Sequence, residues 1–143
     1  MRSDPVTADH NRMVRNQAKA RSVYHASEHQ EQVALFQWAD IAVRTYPELV
    51  LFHAIPNGGD RNPVVGAKLK AEGVRRGVPD LCLPVARGGY HGLYIELKSV
   101  NGKLRAEQQW WLATLRDEGY EARLVVGWEA AKTLIVDYLE SGP

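Results

Sequence analysis

The chain has 143 residues, of which 45% are hydrophobic and 24% charged, and this composition is typical of a globular protein with room for one domain. It contains no apolar run of the roughly 18 residues that a membrane span needs, and no signal-peptide core, so we expect a cytoplasmic protein with no membrane association. The single cysteine, Cys82, excludes an internal disulfide, and the net charge of +1 gives no global sign of nucleic-acid binding.

The charge is nevertheless unevenly distributed. Residues 1–27 carry five basic side chains against two acidic ones, and residues 61–76 carry five against one. Because residues 1–27 are polar and lack a sustained apolar period, we predict a flexible basic arm there. The folded domain is then expected over residues 28–143.

The first half of the domain is predicted to contain a helix, a strand and a short helix. Ser27 is a plausible N-cap for the first helix, whose apolar residues follow helical spacing. Residues 49–55 are apolar and end at a Pro-Asn-Gly-Gly breaker, which is typical of a strand. Asn62 and the proline after it indicate the start of a short helix, which Gly73 ends.

The second half is predicted to continue with a hairpin, a helix, a strand and a helix. In chain order these elements fall at residues 81–85, 93–97, 104–118, 123–126 and 128–139. The full order, αβαββαβα, predicts a small α/β domain with a mixed four-stranded sheet flanked by helices. One pair of strands in this sheet is a hairpin, and another is joined by a helical crossover.

Three chemically active side chains are expected to meet on this sheet. Strand side chains alternate between faces, so Glu96 and Lys98 project from one side. Asp80 joins them if its strand pairs with theirs. Two carboxylates at one point are ligands for a hard divalent cation, and a lysine adds a fixed positive charge. Such a set is suited to holding a phosphodiester and activating a water against it.

Residues 28–127 resemble the virus-type replication–repair nuclease (VRR-NUC) domain, a branch of the PD-(D/E)xK nuclease superfamily. Five pieces match in order, namely Glu28 with Gln32 and Trp38, Ile55-Pro56-Asn57-Gly58-Gly59, Gly77-Val78-Pro79-Asp80, Ile95-Glu96-Leu97-Lys98, and Gly102-Lys103-Leu104 with Gln108. The resemblance implies a restriction-endonuclease-like core that cuts DNA with Mg²⁺ or Mn²⁺ and needs no nucleotide cofactor. A single P-D with a later E-x-K is a weak signal, whereas five pieces in order are a strong one.

Stand-alone phage and bacterial members of this family are similar to Holliday-junction resolvases and act as homodimers on branched double-stranded DNA. Members fused to larger domains act on flapped substrates as monomers. A chain of 143 residues has no room for such domains, which favours the homodimeric resolvase. A monomeric flap or splayed-arm nuclease and a DNA-binding protein without catalysis remain the alternatives.

The resemblance also implies roles for individual residues. Asp80 and Glu96 are expected to bind the metal, with the backbone carbonyl of Leu97 and with Glu28 directly or through water. Lys98 is expected to orient the attacking water and stabilise charge on the phosphoryl oxygens. Gln108 is predicted to hydrogen-bond the nucleophile or the lysine.

Other polar and aromatic residues are candidates for DNA contacts and for a dimer surface. The predicted DNA contacts are Gln32, Asn57, Gly58, Gly59, Arg61, Lys68, Lys70, Arg75, Arg76 and Lys103. His53 allows a general-base role, but a hydrogen-bonded core position is favoured for a histidine in an apolar strand. Of Trp110 and Trp111, one is expected in the core. The other suggests a dimer surface on the helix at residues 104–118 or on the last helix.

Overall fold

The computed structural model describes residues 25–56 and 62–143. Its four strands form one sheet in the order β1-β2-β3-β4, with β1 at His53–Ala54, β2 at Leu81–Leu83, β3 at Leu93–Lys98 and β4 at Glu121–Val126. The first three strands are antiparallel neighbours, whereas β4 is parallel to β3. The predicted mixed α/β sheet is therefore confirmed. The predicted basic arm lies outside the described residues except for residues 25–27.

The described residues form four α-helices around the sheet, α1 at Glu28–Ala42, α2 at Pro63–Ala71, α3 at Ala106–Asp117 and α4 at Trp128–Glu140. Helices α1 and α4 contact each other and β3, and they cover one face of the sheet. Helix α3 is the crossover between the parallel strands and packs against β4. Helix α2 has no buried residue. None of the described helices is long and apolar enough to cross a bilayer.

The predicted helix starts are confirmed by their capping hydrogen bonds. The Ser27 hydroxyl accepts from the Gln30 amide at 3.1 Å, and the Gln30 side chain accepts from the Ser27 amide at 2.9 Å. This reciprocal pair satisfies two amides that the first turn of α1 leaves free. At α2, the Asn62 side chain accepts from the Val64 amide at 2.9 Å.

The prediction of a strand over residues 49–55 is largely wrong. Residues Pro47–Leu51 form a 3₁₀ helix, and only His53–Ala54 pair as a strand. Leu49 and Phe52 are the buried members of this run, and their spacing of three is the period of a 3₁₀ helix rather than of a strand. Phe52 stacks on Phe36 of α1 with ring centroids 4.7 Å apart, so packing on the helix determines the local conformation.

Candidate active site

The two faces of β3 differ in character, as its alternation predicts. Leu93, Ile95 and Leu97 are buried in the core beneath α1 and α4. The residues between and after them, which include Glu96 and Lys98, project to the other side, which we call the polar face. The polar face is where the predicted catalytic residues are placed.

Asp80 reaches the polar face through a turn that requires a glycine. Gly77 has a φ of +92°, and a Cβ there would lie 2.8 Å from the backbone carbonyl carbon of Glu107. This close approach fixes the chain against α3 just before β2 begins. The Asp80 carbonyl then accepts from the Ile55 amide at 2.6 Å, and Asp80 Oδ2 accepts from the Leu97 amide at 2.9 Å. The structure thus places Asp80 beside the strand that carries Glu96.

Glu96 is the most unusual side chain in the described part of the chain because it is an acid with only 1% of its surface exposed. Its Oε1 accepts from Lys98 Nζ at 3.1 Å and from Gln108 Nε2 at 2.8 Å. Its Oε2 is buried and has no hydrogen-bond partner among the described residues. Burial, followed by repulsion from the Asp80 carboxylate, raises the pKa of Glu96 to about 7. Burial likewise raises the pKa of Asp80.

Lys98 is also buried, and it lies between two acids. Its Nζ is 3.1 Å from Glu96 Oε1 and 3.8 Å from Glu28 Oε1. Gly102 closes over this pair, since a Cβ there would lie 2.9 Å from Glu28 Oε1 and 3.0 Å from Lys98 Cδ. The other acid in the first turn of α1, Glu31, accepts instead from the Trp128 amide at the start of α4. Of these two acids, Glu28 is therefore the one that the fold places beside Lys98.

Gln108 makes a hydrogen bond through each end of its side-chain amide. Its Oε1 accepts from the Arg105 amide at 2.9 Å, and its Nε2 donates to Glu96. The resemblance predicts that Gln108 hydrogen-bonds Lys98 or the nucleophile. The structure shows instead a hydrogen bond from Gln108 to the Glu96 carboxylate. No local sequence signal predicts this contact, because it joins residues on two elements that are brought together only by the crossover.

A divalent cation fits these residues. Two carboxylates with raised pKa values, one of them with a buried and unpaired oxygen, would be stabilised by a positive charge between them. The described residues contain no group of three histidine, cysteine or acidic side chains that could hold a metal ion. The carboxylates of Asp80 and Glu96 suit Mg²⁺, which is usually held by one or two carboxylates together with waters. Ligation by Glu28 and by the Leu97 carbonyl stays a prediction.

The residues predicted to contact DNA are mostly exposed. Side chains at the surface are Lys68, Lys70, Arg75, Arg76 and Lys103, whereas Gln32 is half-buried on α1 one turn after Glu28. The predictions at Asn57, Gly58, Gly59 and Arg61 lie outside the described residues. A basic surface therefore extends from α2 toward the turn that delivers Asp80.

The histidine and the tryptophans are placed as follows. The core position predicted for His53 is wrong, because its side chain is exposed, although its Nδ1 does lie 2.8 Å from the Leu51 carbonyl oxygen. Trp111 is half-buried and donates from Nε1 to the Arg76 carbonyl at 3.1 Å, whereas Trp110 is 61% exposed. Cys82 is buried.

Comparison with known proteins identifies the same domain type by two routes. The VRR-NUC domain family model matches residues 16–128. The chain is similar to a solved structure of a VRR_NUC domain protein, with a TM-score of 0.70 and 30% sequence identity over 83% of this chain and 93% of that chain. None of the curated proteins compared with the chain matches it.

Proposed function

Because the chain belongs to the VRR-NUC family, which has a nuclease-type function in DNA processing, we propose that it is a Mg²⁺-dependent endonuclease acting on branched DNA. We assign it the hydrolysis of phosphodiester bonds at four-way junctions, as a homodimer. The observation that carries the proposal is the buried, unpaired Oε2 of Glu96 in a site shared with Asp80 and Lys98. Once it is ionised, a buried acid with an unpaired oxygen is costly to the fold unless a cation binds it.

The chemistry follows from the positions of these side chains. When bound, Mg²⁺ supplies a Lewis acid that polarises a phosphoryl oxygen and lowers the pKa of a bound water. Asp80 and Glu96 hold the cation on the polar face. Lys98 Nζ lies 3.1 Å from Glu96 Oε1 and would donate to a phosphoryl oxygen or orient the attacking water. Hydrolysis is proposed to leave a 5′-phosphate, and Mn²⁺ is proposed to replace Mg²⁺.

The proposed homodimer would place two sites against two strands of one junction. Trp110 on α3 supports it, since a tryptophan that is 61% exposed is typical of a surface that a partner covers. Helix α3 is the element that also contacts Glu96 through Gln108, so contact between two copies there would lie close to both sites.

A cleavage panel tests the proposal directly. Four-way, flapped, splayed and linear duplexes are incubated with the protein, with and without Mg²⁺, and the products are mapped on both strands. We expect paired cuts in the four-way junction that depend on the metal. Cleavage of flaps alone by a protein that light scattering shows to be a monomer would favour the flap-nuclease alternative. Binding without cleavage of any substrate, with or without Mg²⁺, would indicate a protein that has lost catalysis.

A further inference from the structure

His53 lies on the polar face, although the apolar run around it suggested a core position. In the register of the sheet, His53 pairs with Cys82 and Cys82 pairs with Tyr94, so these three side chains form one row across β1, β2 and β3. Phe52, the preceding residue, points the other way and stacks on Phe36 of α1. Alternation therefore directs the imidazole away from the core and toward the polar face.

This row is next to the proposed metal site. Cys82 follows Asp80 by two residues, and Tyr94 precedes Glu96 by two, so the two acids occupy the adjacent row. The hydrogen bond from the Ile55 amide to the Asp80 carbonyl continues the β1–β2 pairing to that row. Diagonal neighbours on one face of an antiparallel pair lie about 7–8 Å apart, which is the expected separation of His53 and Asp80. A substrate bound at Asp80 thus passes within reach of the imidazole.

The ring is held in one orientation by its own backbone. Nδ1 lies 2.8 Å from the Leu51 carbonyl oxygen, and a carbonyl oxygen accepts only, so Nδ1 must carry a proton. Nε2 is on the opposite side of the ring from this bond, and the side chain is exposed. The second nitrogen of His53 is therefore presented to solvent by a fixed ring.

The polar face is open at the edge that carries His53. Helix α3 packs against β4, and Gln108 reaches from it to Glu96, whereas Leu124 and Val126, which pair with Glu96 and Lys98, are exposed on β4. At the other end of the strand order is β1, whose His53 and Ala54 are both exposed. A DNA strand that reaches Glu96 across β1 and β2 therefore passes His53.

From this geometry we propose that His53 forms a phosphate subsite for the DNA strand, next to the metal site and separate from it. The subsite rests on the proposed nuclease function. In this subsite Nδ1 donates to the Leu51 carbonyl, and Nε2 donates to a non-bridging oxygen of a phosphate that is not cleaved. The titratable groups that face the ring across the sheet are the Cys82 thiol directly and the Asp80 carboxylate diagonally. The chemical class of the ligand is a phosphodiester.

Three substitutions of His53 test the donor and its position. His53→Ala removes the donor, His53→Gln places an amide N–H near the position of Nε2, and the shorter His53→Asn does not reach it. His29→Ala, at another exposed histidine, is the matched control. Because His53→Ala removes a hydrogen bond to a charged group, we expect it to raise the KM for a four-way junction about tenfold or more. The kcat should stay within about twofold, because a contact made equally in the ground and transition states changes KM alone.

Binding is measured separately from turnover, in an Asp80→Asn background that is expected not to cut. The Kd of Asp80→Asn for the junction is compared with those of its combinations with His53→Ala, His53→Gln and His53→Asn. We expect the alanine and asparagine combinations to bind about tenfold more weakly, and the glutamine combination to recover most of the loss. Melting temperatures should be unchanged, since the side chain is exposed.

Two results would overturn the subsite. Unchanged KM and Kd in His53→Ala would show that DNA does not contact the ring. A loss of kcat at constant KM that glutamine does not restore would instead assign His53 to proton transfer. If the wild-type protein cut no DNA, the proposed function would fail, and the Kd comparison would still decide whether His53 binds the strand.

Discussion

Gln108 Nε2 donates a hydrogen bond of 2.8 Å to Glu96 Oε1, and this bond links the first turn of α3 to the centre of the sheet. The orientation of the amide is set by its other end, since Oε1 accepts from the Arg105 amide and leaves Nε2 to donate. Glu96 is therefore held at one oxygen by Gln108 and Lys98, while Oε2 stays unpaired. The helix that connects β3 to β4 thus determines which oxygen of Glu96 is available to a cation.

Gln108→Ala should weaken metal binding more than it weakens the fold. Residues that orient a metal ligand typically contribute about 10–100-fold in metal affinity or activity. We therefore expect the Mg²⁺ concentration for half-maximal cleavage to rise by about tenfold or more. Gln109→Ala, at the exposed neighbour on the same turn, is the control and should behave like the wild type. Equal Mg²⁺ dependence of the two variants would show that Gln108 does not support metal binding.

Asp80→Asn should reduce cleavage to background and leave junction binding close to that of the wild type. The amide keeps the shape of the side chain and can still accept from the Leu97 amide, but it lacks the negative charge that a cation needs. Cleavage rates and gel-shift affinities measured on the same junction check both parts. Asp117→Asn, at an exposed aspartate at the end of α3, should cut normally. Normal cleavage by Asp80→Asn would refute the assignment of the metal site.

The site also predicts an unusual pH dependence of stability in the metal-free protein. Burial, then the Asp80 carboxylate, raises the pKa of Glu96 from 4.5 to about 7, so the folded state binds a proton that the unfolded chain has lost. This contribution to stability is complete below pH 4.5 and is lost as the pH rises through about 7. Thermal melts in a chelator should show a decline across that window that Glu96→Gln lacks.

At pH 8, without metal, Glu96→Gln should melt several degrees above the wild type, because the variant buries no charge at this position. Added Mg²⁺ should stabilise the wild type and leave the variant unchanged. Glu118→Gln, at an exposed acid after α3, is the control and should change stability by no more than about 0.5 kcal/mol. A destabilised Glu96→Gln would contradict the cost assigned to the buried carboxylate.

The elements that the sequence predicts well are those with a regular alternation of polar and apolar residues or with a local capping signal. Alternation along β3 places Glu96 and Lys98 on the opposite side from Ile95 and Leu97. This alternation is enough to predict the polar face without knowledge of any contact. Caps at Ser27 and Asn62 follow from side-chain chemistry within a few residues, so they are equally local. The family motif added Asp80, which lies just before β2 and so outside the alternation of β3.

What sequence could not predict depends on contacts between elements. Residues 49–55 are apolar except for His53, so their pattern does not separate a strand from a 3₁₀ helix, and the stacking of Phe52 on α1 decides it. The core position predicted for His53 is wrong for the same reason, since the register with Cys82 places its side chain on the polar face. The hydrogen bond from Gln108 to Glu96 forms only when helix α3 has packed beside the sheet, and no residue spacing in the sequence predicts this contact.

Gly102→Ala should impair catalysis through a steric effect on two side chains. The added methyl would lie 2.9 Å from Glu28 Oε1 and 3.0 Å from Lys98 Cδ, both closer than ordinary contact, so the pair must shift. Misplacement of such groups by about 1 Å can cost on the order of 100-fold in rate, and we expect a kcat reduced by about tenfold or more. Gly66→Ala is the matched control, because a Cβ there meets nothing within 4 Å.

The control variant, Gly66→Ala, is itself expected to change stability. Gly66 lies inside α2, where alanine is a better helix former by roughly 0.5–1 kcal/mol. Gly66→Ala should therefore raise the melting temperature slightly and leave kcat unchanged. If Gly102→Ala matched it in kcat, the turn after β3 would not position Lys98.

The basic surface around α2 predicts the salt dependence of binding. Lys68 and Lys70 are exposed on a helix without a buried residue, so removing their charges should not affect the core. Removing the charge that neutralises one phosphate should lower the slope of log affinity against log salt by about one, so Lys68→Gln with Lys70→Gln should lower it by about two. Arg44→Gln, at an exposed arginine just after α1, removes one charge outside the predicted surface and should leave the slope unchanged. An equal slope in the double variant would show that α2 does not bind the DNA backbone, and other basic residues would then have to bind it.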